Sequence, residues 1–258
     1  MKQALLFFIS IGLGTQIFAQ TTKPEIVTDR PDQTEAPSLV PTGGIQVELG
    51  TVIENDVIEN TKVTNYTYAT ALVKYGINEN IELRLISEYL GQRVKFNESD
   101  INKVNGASPL ALGVKIKIAD EKSFWPQAAF IGHINLKTGS SEFAPEYTAA
   151  DFRFTFAHTL SENFSLSYNL GAEWNGETPE AAFLYTLSLG YAITDKLGAY
   201  IESYSFFPEN SQADHRIDAG ITYKITSVVQ WDVSAGLGLN DIAPDSFIST
   251  GLSFRLLK

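Results

Sequence analysis

Apolar and polar residues alternate one for one along most of this chain. Residues 229–239 show the pattern clearly. Val229, Trp231, Val233, Ala235, Leu237 and Leu239 are apolar, with Gln230, Asp232, Ser234, Gly236 and Gly238 between them. Successive side chains of a strand point to opposite faces, so such a segment has one greasy wall and one polar wall. The pattern returns about a dozen times, and no convincing amphipathic helix interrupts it.

The alternation predicts strands near residues 45–53, 63–77, 81–92, 110–118, 127–137, 151–156, 164–174, 183–191, 197–204, 216–224, 229–239 and 248–256. Short polar turns follow every second strand: Asn78-Glu79-Asn80, Asp120-Glu121-Lys122, Ser161-Glu162-Asn163, Thr194-Asp195-Lys196 and Thr226-Ser227. Longer connections fall between them, near residues 55–62, 94–106, 138–147, 175–179, 208–212 and 240–245. Outer-membrane barrels have short periplasmic turns and longer outside loops. The apolar walls would also cover more surface than one soluble core of this size needs. The expected fold is therefore all-β: an antiparallel transmembrane β-barrel of about 12 strands with an extended N-terminal segment. A soluble β-sandwich would show the same alternation, but strands this long and uniform are unusual for one.

The N-terminus changes the picture twice. Residues 1–19 have the plan of a secretory signal: Lys2, an apolar run from Leu5 to Ile11, and Ala19 before Gln20. That run is short for a spanning helix. Residues 20–43 are the one non-repetitive stretch. Four prolines and dense polar residues there argue against helix or central strand. Two readings stand: a solvated leader, or an ordered segment that closes the barrel from the periplasmic side. On the second reading Asp29, Arg30 and Asp32 are the expected anchors, and Glu35 could also meet lumen charges. The stretch lacks the glycine turn and spacing of a calcium loop. Residues 44–258 would form the barrel.

Composition narrows the chemistry. The chain has no cysteine, which excludes a disulfide framework and a thiolate metal site. Its net charge of −11 does not suggest nucleic acid or an anionic surface as partner. Polar walls facing inward would place Lys74, Glu82, Arg84, Glu88, Lys115, Lys117, Arg153, Glu202 and Arg216 along a lumen. Charges of both signs fit either paired structural filling or a polar solute path.

No enzyme constellation emerges. His133 is an inward position, with Ser140 and Ser141 in the following loop, but a serine nucleophile needs its base within hydrogen-bond reach. His158 falls on the outward face near a turn, and His215 beside Asp214 and Arg216 is a rim position. No histidine cluster suggests zinc, and no glycine motif cradles phosphate. The expectation is a non-enzyme with no cofactor and no metal. Its partners would be outer-membrane lipid, the barrel-assembly machinery and a small solute.

One resemblance adds to this reading. Thr28-Asp29-Arg30-Pro31-Asp32-Gln33-Thr34-Glu35-Ala36-Pro37, then Val40-Pro41 and Ile45-Gln46-Val47-Glu48-Leu49-Gly50, resembles the opening of the outer-membrane family "MetA-pathway of phenol degradation". Leu72-Val73-Lys74-Tyr75-Gly76-Ile77, Asn80-Ile81-Glu82-Leu83-Arg84 and Asp195-Lys196-Leu197 are similar to that family too. The likeness runs from about Ile26 to the end. It implies a barrel in a Gram-negative outer membrane that passes small hydrophobic or aromatic compounds inward. The alternative is a closed structural or adhesive barrel acting through its outside loops. The signal and its junction look Bacteroidetes-like. The ending Phe254-Arg255-Leu256-Leu257-Lys258 departs from the terminal aromatic of many bacterial barrels.

Overall fold

The computed structural model describes residues 24–256. The signal expected at residues 1–19 lies outside the described residues. Thirteen strands follow the N-terminal segment: β1 (Ile45–Ile58), β2 (Thr61–Asn78), β3 (Ile81–Phe96), β4 (Ser99–Ala107), β5 (Ala111–Ala119), β6 (Gln127–Asn135), β7 (Ala150–Thr159), β8 (Phe164–Trp174), β9 (Ala182–Ala192), β10 (Leu197–Pro208), β11 (Asp214–Thr226), β12 (Val229–Gly238) and β13 (Ser246–Leu256). All pair antiparallel with their neighbours. The first wall strand meets the last, from Ile45 opposite Leu256 to Asn55 opposite Ser246, and this pairing closes the cylinder.

Twelve strands make the wall, because β4 pairs with β3 alone and β3 passes on to β5 lower down. The extra strand corrects the expectation of a loop at residues 94–106. Phe96 pairs with Ser99 across Asn97 and Glu98, whose φ angles are 47° and 63°. Positive φ at both central residues is what a two-residue type I′ hairpin requires. Likewise β1 and β2 continue through most of 55–62, turning only at Glu59 and Asn60. Above the apolar belt both faces of a hairpin meet water. Alternation disappears there while backbone pairing persists.

The side-chain distribution is the reverse of a soluble core. Leu83, Leu112, Leu170, Leu187, Ile201, Ile221, Trp231 and Leu252 stand exposed on the outside. Glu48, Glu82, Lys115 and Asp232 are completely buried inside. Charged residues are almost never fully buried unless paired, so the outer face is built for lipid and the interior for polar contacts. Both features exclude the sandwich. Among the described residues no helix is long and apolar enough to cross a membrane.

The N-terminal segment enters at the end that carries the short turns 79–80, 193–196 and 227–228, here called the lower end. Ile26 donates its N–H to the Ser227 carbonyl (2.8 Å), and Gly43 donates to Gly76 (2.8 Å). Between those two fixings, residues 27–42 are folded into the barrel.

Candidate functional site

Period-2 geometry brings cations together on the inner wall. Lys74 on β2 lies directly opposite Arg84 on β3, and Lys115 on β5 lies opposite Glu82. Like charges directly opposite destabilise a sheet, so an empty barrel would carry this arrangement at a cost. Asp29 of the N-terminal segment resolves it. Its carboxylate accepts from Lys74 Nζ (2.8 Å), Arg84 Nη1 (2.8 Å) and Lys115 Nζ (3.0 Å). Burial pushes the Asp29 carboxyl up, but Lys115, Lys74 and Arg84 together outweigh it and hold the group well below the usual carboxylate range. Glu48 completes the cradle, accepting the backbone N–H groups of Asp29 (3.0 Å) and Arg30 (3.2 Å) and pairing with Lys74.

Arg30 points the other way across the lumen. Its Nη2 donates to Asp232 (3.1 Å) and Ser249 (2.8 Å). The guanidinium lies on Gly50 and Gly251, which face each other across β1 and β13, in space a Cβ would fill. Asp32 has anionic rather than cationic surroundings. Burial first, then the neighbouring Glu202, hold its carboxyl well above the usual range.

The remaining residues of the segment continue these contacts. Glu202 accepts the Gln33 N–H (2.7 Å) and the Thr34 hydroxyl. Arg153 donates to the Gln33 carbonyl (2.9 Å). Asn169 bonds both backbone groups of Glu35, at 2.7 and 3.0 Å, and the Glu35 carboxylate meets Arg84 (2.8 Å). Glu82 accepts the Val40 N–H (2.8 Å), and Lys115 donates to the Ala36 carbonyl (2.7 Å). The segment thus crosses the lumen, held by polar side chains from most of the wall.

Of the residues expected to line a path, Lys74, Glu82, Arg84, Lys115, Arg153 and Glu202 bond this segment directly. Three do not. Glu88 lies further up β3, half-buried opposite Thr70. Lys117 pairs with Asp120 (2.5 Å) at the lower rim. Arg216 sits high in the barrel, between Asp214 (2.5 Å) and Glu54 (2.9 Å). Asn169 and Ser249 were not singled out from sequence. Uncharged polar residues at inward strand positions were their only signal.

Cavities lie on both sides of the segment. Below it are two, of about 460 and 520 Å³. The first is bordered by Asp32, Tyr200 and Ser188, the second by Lys117, Leu39 and Arg255. Above it a cavity of about 240 Å³ is lined by Ile86, His133, Asn135, Asp151 and Glu173.

His133 is engaged at both ring nitrogens, with Nδ1 on Asp151 (2.7 Å) and Nε2 accepting from Arg84 Nε (3.0 Å). It orients the guanidinium that holds Asp29. His158 stacks on Tyr168 on the outer face. His215 Nδ1 meets Ser205 Oγ at 2.7 Å, a contact unforeseen from sequence. That hydroxyl also reaches Tyr185 (3.3 Å), and Ser205 is buried at 1% exposure. Among the described residues no group of His, Cys, Asp or Glu is arranged to hold a metal ion.

A family model described as "Putative MetA-pathway of phenol degradation" matches residues 28–256. No curated protein matches the sequence. Among solved structures, the chain is similar to an outer membrane channel from Pseudomonas putida F1, with a TM-score of 0.68, 12% identity, and coverage of 85% of this chain and 97% of that one. It is also similar to the NanC porin, with a TM-score of 0.52, 10% identity, and coverage of 82% and 100%. At such identities the likeness is one of fold.

Proposed function

The chain belongs to the MetA-pathway of phenol degradation family, and from that premise we propose that it is an outer-membrane channel for small hydrophobic or aromatic compounds, shut in this state by residues 24–43. Its exposed apolar belt suits the acyl region of the membrane, and its inverted interior suits a solute path. No catalytic role is assigned to any residue.

One observation carries the reading. The obstruction is a single non-covalent segment with cavities above and below it, held by side-chain hydrogen bonds rather than added to the sheet. A permanently filled barrel needs no separate removable stopper. The family description supplies the solute class, and Asp29, Arg30 and Asp32 are the proposed anchors.

Planar-bilayer recording tests it. The mature protein should conduct rarely. Protein lacking residues 24–43 should conduct steadily, with block by small aromatic solutes. A barrel that stays electrically silent after the deletion, yet migrates as folded, overturns the channel reading. The projecting β3–β4 hairpin favours one second reading, a closed adhesive barrel. In that case deletion of the hairpin would abolish partner binding and the plug deletion would change nothing.

A further inference from the structure

Two carboxylates of the plug, three residues apart, sit in opposite electrostatic surroundings. Asp29 is surrounded by cations, whereas Asp32 is surrounded by acids. Glu202 on β10 and Asp218 on β11 face each other across one strand pair, about 5 Å apart. Both are almost completely buried. Neither oxygen of Asp218 has a hydrogen-bond partner, and the buried Tyr200 hydroxyl and Ser234 hydroxyl beside it have none either.

The surrounding charges do not balance this cluster. The plug contributes Asp32 and Arg30, but the Arg30 guanidinium is committed to Asp232 of β12 at 3.1 Å. Besides Glu202, β10 adds the phenols of Tyr200 and Tyr204. Arg216 of β11 is held by Asp214 and Glu54 higher in the barrel. Arg153 of β7 gives its hydrogen bond to the Gln33 carbonyl, and its charge offsets only part of that on Glu202. Glu48 of β1 adds a further negative charge beside Asp232. From β8 and β9 come the neutral Asn169, Thr186 and Ser188, with Glu173 of β8 higher in the barrel beside the upper cavity. Unpaired buried carboxylates are costly, and such groups neutralise instead.

We propose that Asp32, Glu202 and Asp218 form a proton-sharing latch that holds the plug seated at neutral pH and releases it as the pH rises. The inference rests on the reading of residues 24–43 as a plug. In the seated state these carboxyls share protons, and Glu202 accepts from Gln33 and Thr34. On release a carboxyl O–H bond breaks, its proton passes to water in the lower cavity that Asp32 borders, and a carboxylate remains. The Glu202 and Asp218 carboxylates then stand one strand spacing apart, with the charged Asp32 in reach of their repulsion. Repulsion separates the only one that can move, Asp32. A group titrating higher in the seated state than in the released state stabilises the seat at low pH. That stabilisation disappears as pH rises toward the seated value. The Asp32 carboxyl is shifted in that direction.

The chain has no cysteine, so one reporter suffices. A nitroxide is attached to Gln33→Cys in the full mature protein in lipid vesicles. Its mobile fraction is read by electron paramagnetic resonance, alongside conductance of the same preparation. The ratio of mobile to immobile label should climb from pH 6 to pH 9, by up to about tenfold per pH unit for each proton released. Asp218→Asn, alone and with Asp32→Asn, should flatten that rise. A flat profile in the parent, or an unchanged rise in both variants, overturns the latch. If either variant misfolds, Asp29→Asn serves instead, since it should raise mobility at neutral pH yet keep the alkaline rise. Loss of the alkaline rise in that variant also overturns the proposal. Conductance separates the two readings. A plug deletion that conducts beside a pH-independent label leaves the channel and removes the latch, and the converse leaves the latch and removes the channel.

Discussion

Replacing Asp29 with asparagine leaves shape and volume unchanged but removes the charge at the centre of the plug. Lys74, Arg84 and Lys115 approach that carboxylate to 2.8, 2.8 and 3.0 Å, and all four side chains are 4% exposed or less. Removing one partner of a buried ion pair costs about 3–5 kcal/mol, because the other charge is left uncompensated. Here Glu48, Glu82 and Glu35 still face the three cations and offset part of that loss. The lower figure is the better guide. At ~1.4 kcal/mol per tenfold, about 3 kcal/mol is roughly a hundredfold shift toward the displaced plug. Open probability in planar bilayers measures it directly, and thermal unfolding of the barrel supplies the control for global damage. An Asp29→Asn protein with the parent's open probability and an immobile plug would refute the reasoning, since the cradle would then be decoration around a segment held elsewhere.

Other consequences are independent of that one. The Asp29 anchor is at full strength above the ordinary carboxylate range, near pH 4, and weakens as pH falls below it toward the depressed value. Conductance should therefore rise in acid, and Asp29→Asn should remove that acid rise. Gly50→Leu or Gly251→Leu places atoms where the Arg30 guanidinium lies. Losing its bonds to Asp232 and Ser249 costs about 1.5–3 kcal/mol for charge-assisted contacts, visible as a raised open probability without loss of folded barrel on a gel-shift assay. Leu187→Arg puts a cation in the middle of the outer belt, at a cost of about 2–4 kcal/mol near the bilayer midplane, measured by urea-dependent folding into vesicles. Deleting residues 95–104 removes most of β4 and the upper end of β3. The lower β3–β5 pairing from Ile81 to Ile86 remains, so the barrel should keep its heat-modifiable mobility.

Sequence reading succeeded where the physics is local and periodic. The inward positions Lys74, Glu82, Arg84, Lys115 and Glu202 follow from one alternation each, and the lipid-facing Leu83, Leu187 and Ile221 are the complementary set. It stopped at hairpins such as 93–103, where water on both faces removes the polar–apolar contrast that a strand search detects. It also left residues 20–43 open between a solvated leader and a closing segment. Nothing periodic marks an irregular segment whose backbone is satisfied by side chains from elsewhere.

The alternating pattern determined an outward apolar wall and an inward polar wall, and the lengths of the connections determined the direction of each strand and the end at which each turn lies. Tertiary structure decided what occupies the interior. Arg30 meets Asp232, 202 residues away, and Arg84 reaches Asp29 across 55. Those meetings depend on where β1 closes against β13 and on how each strand is staggered around the cylinder. A two-residue period specifies which face a side chain points to, but not which residue it finds there.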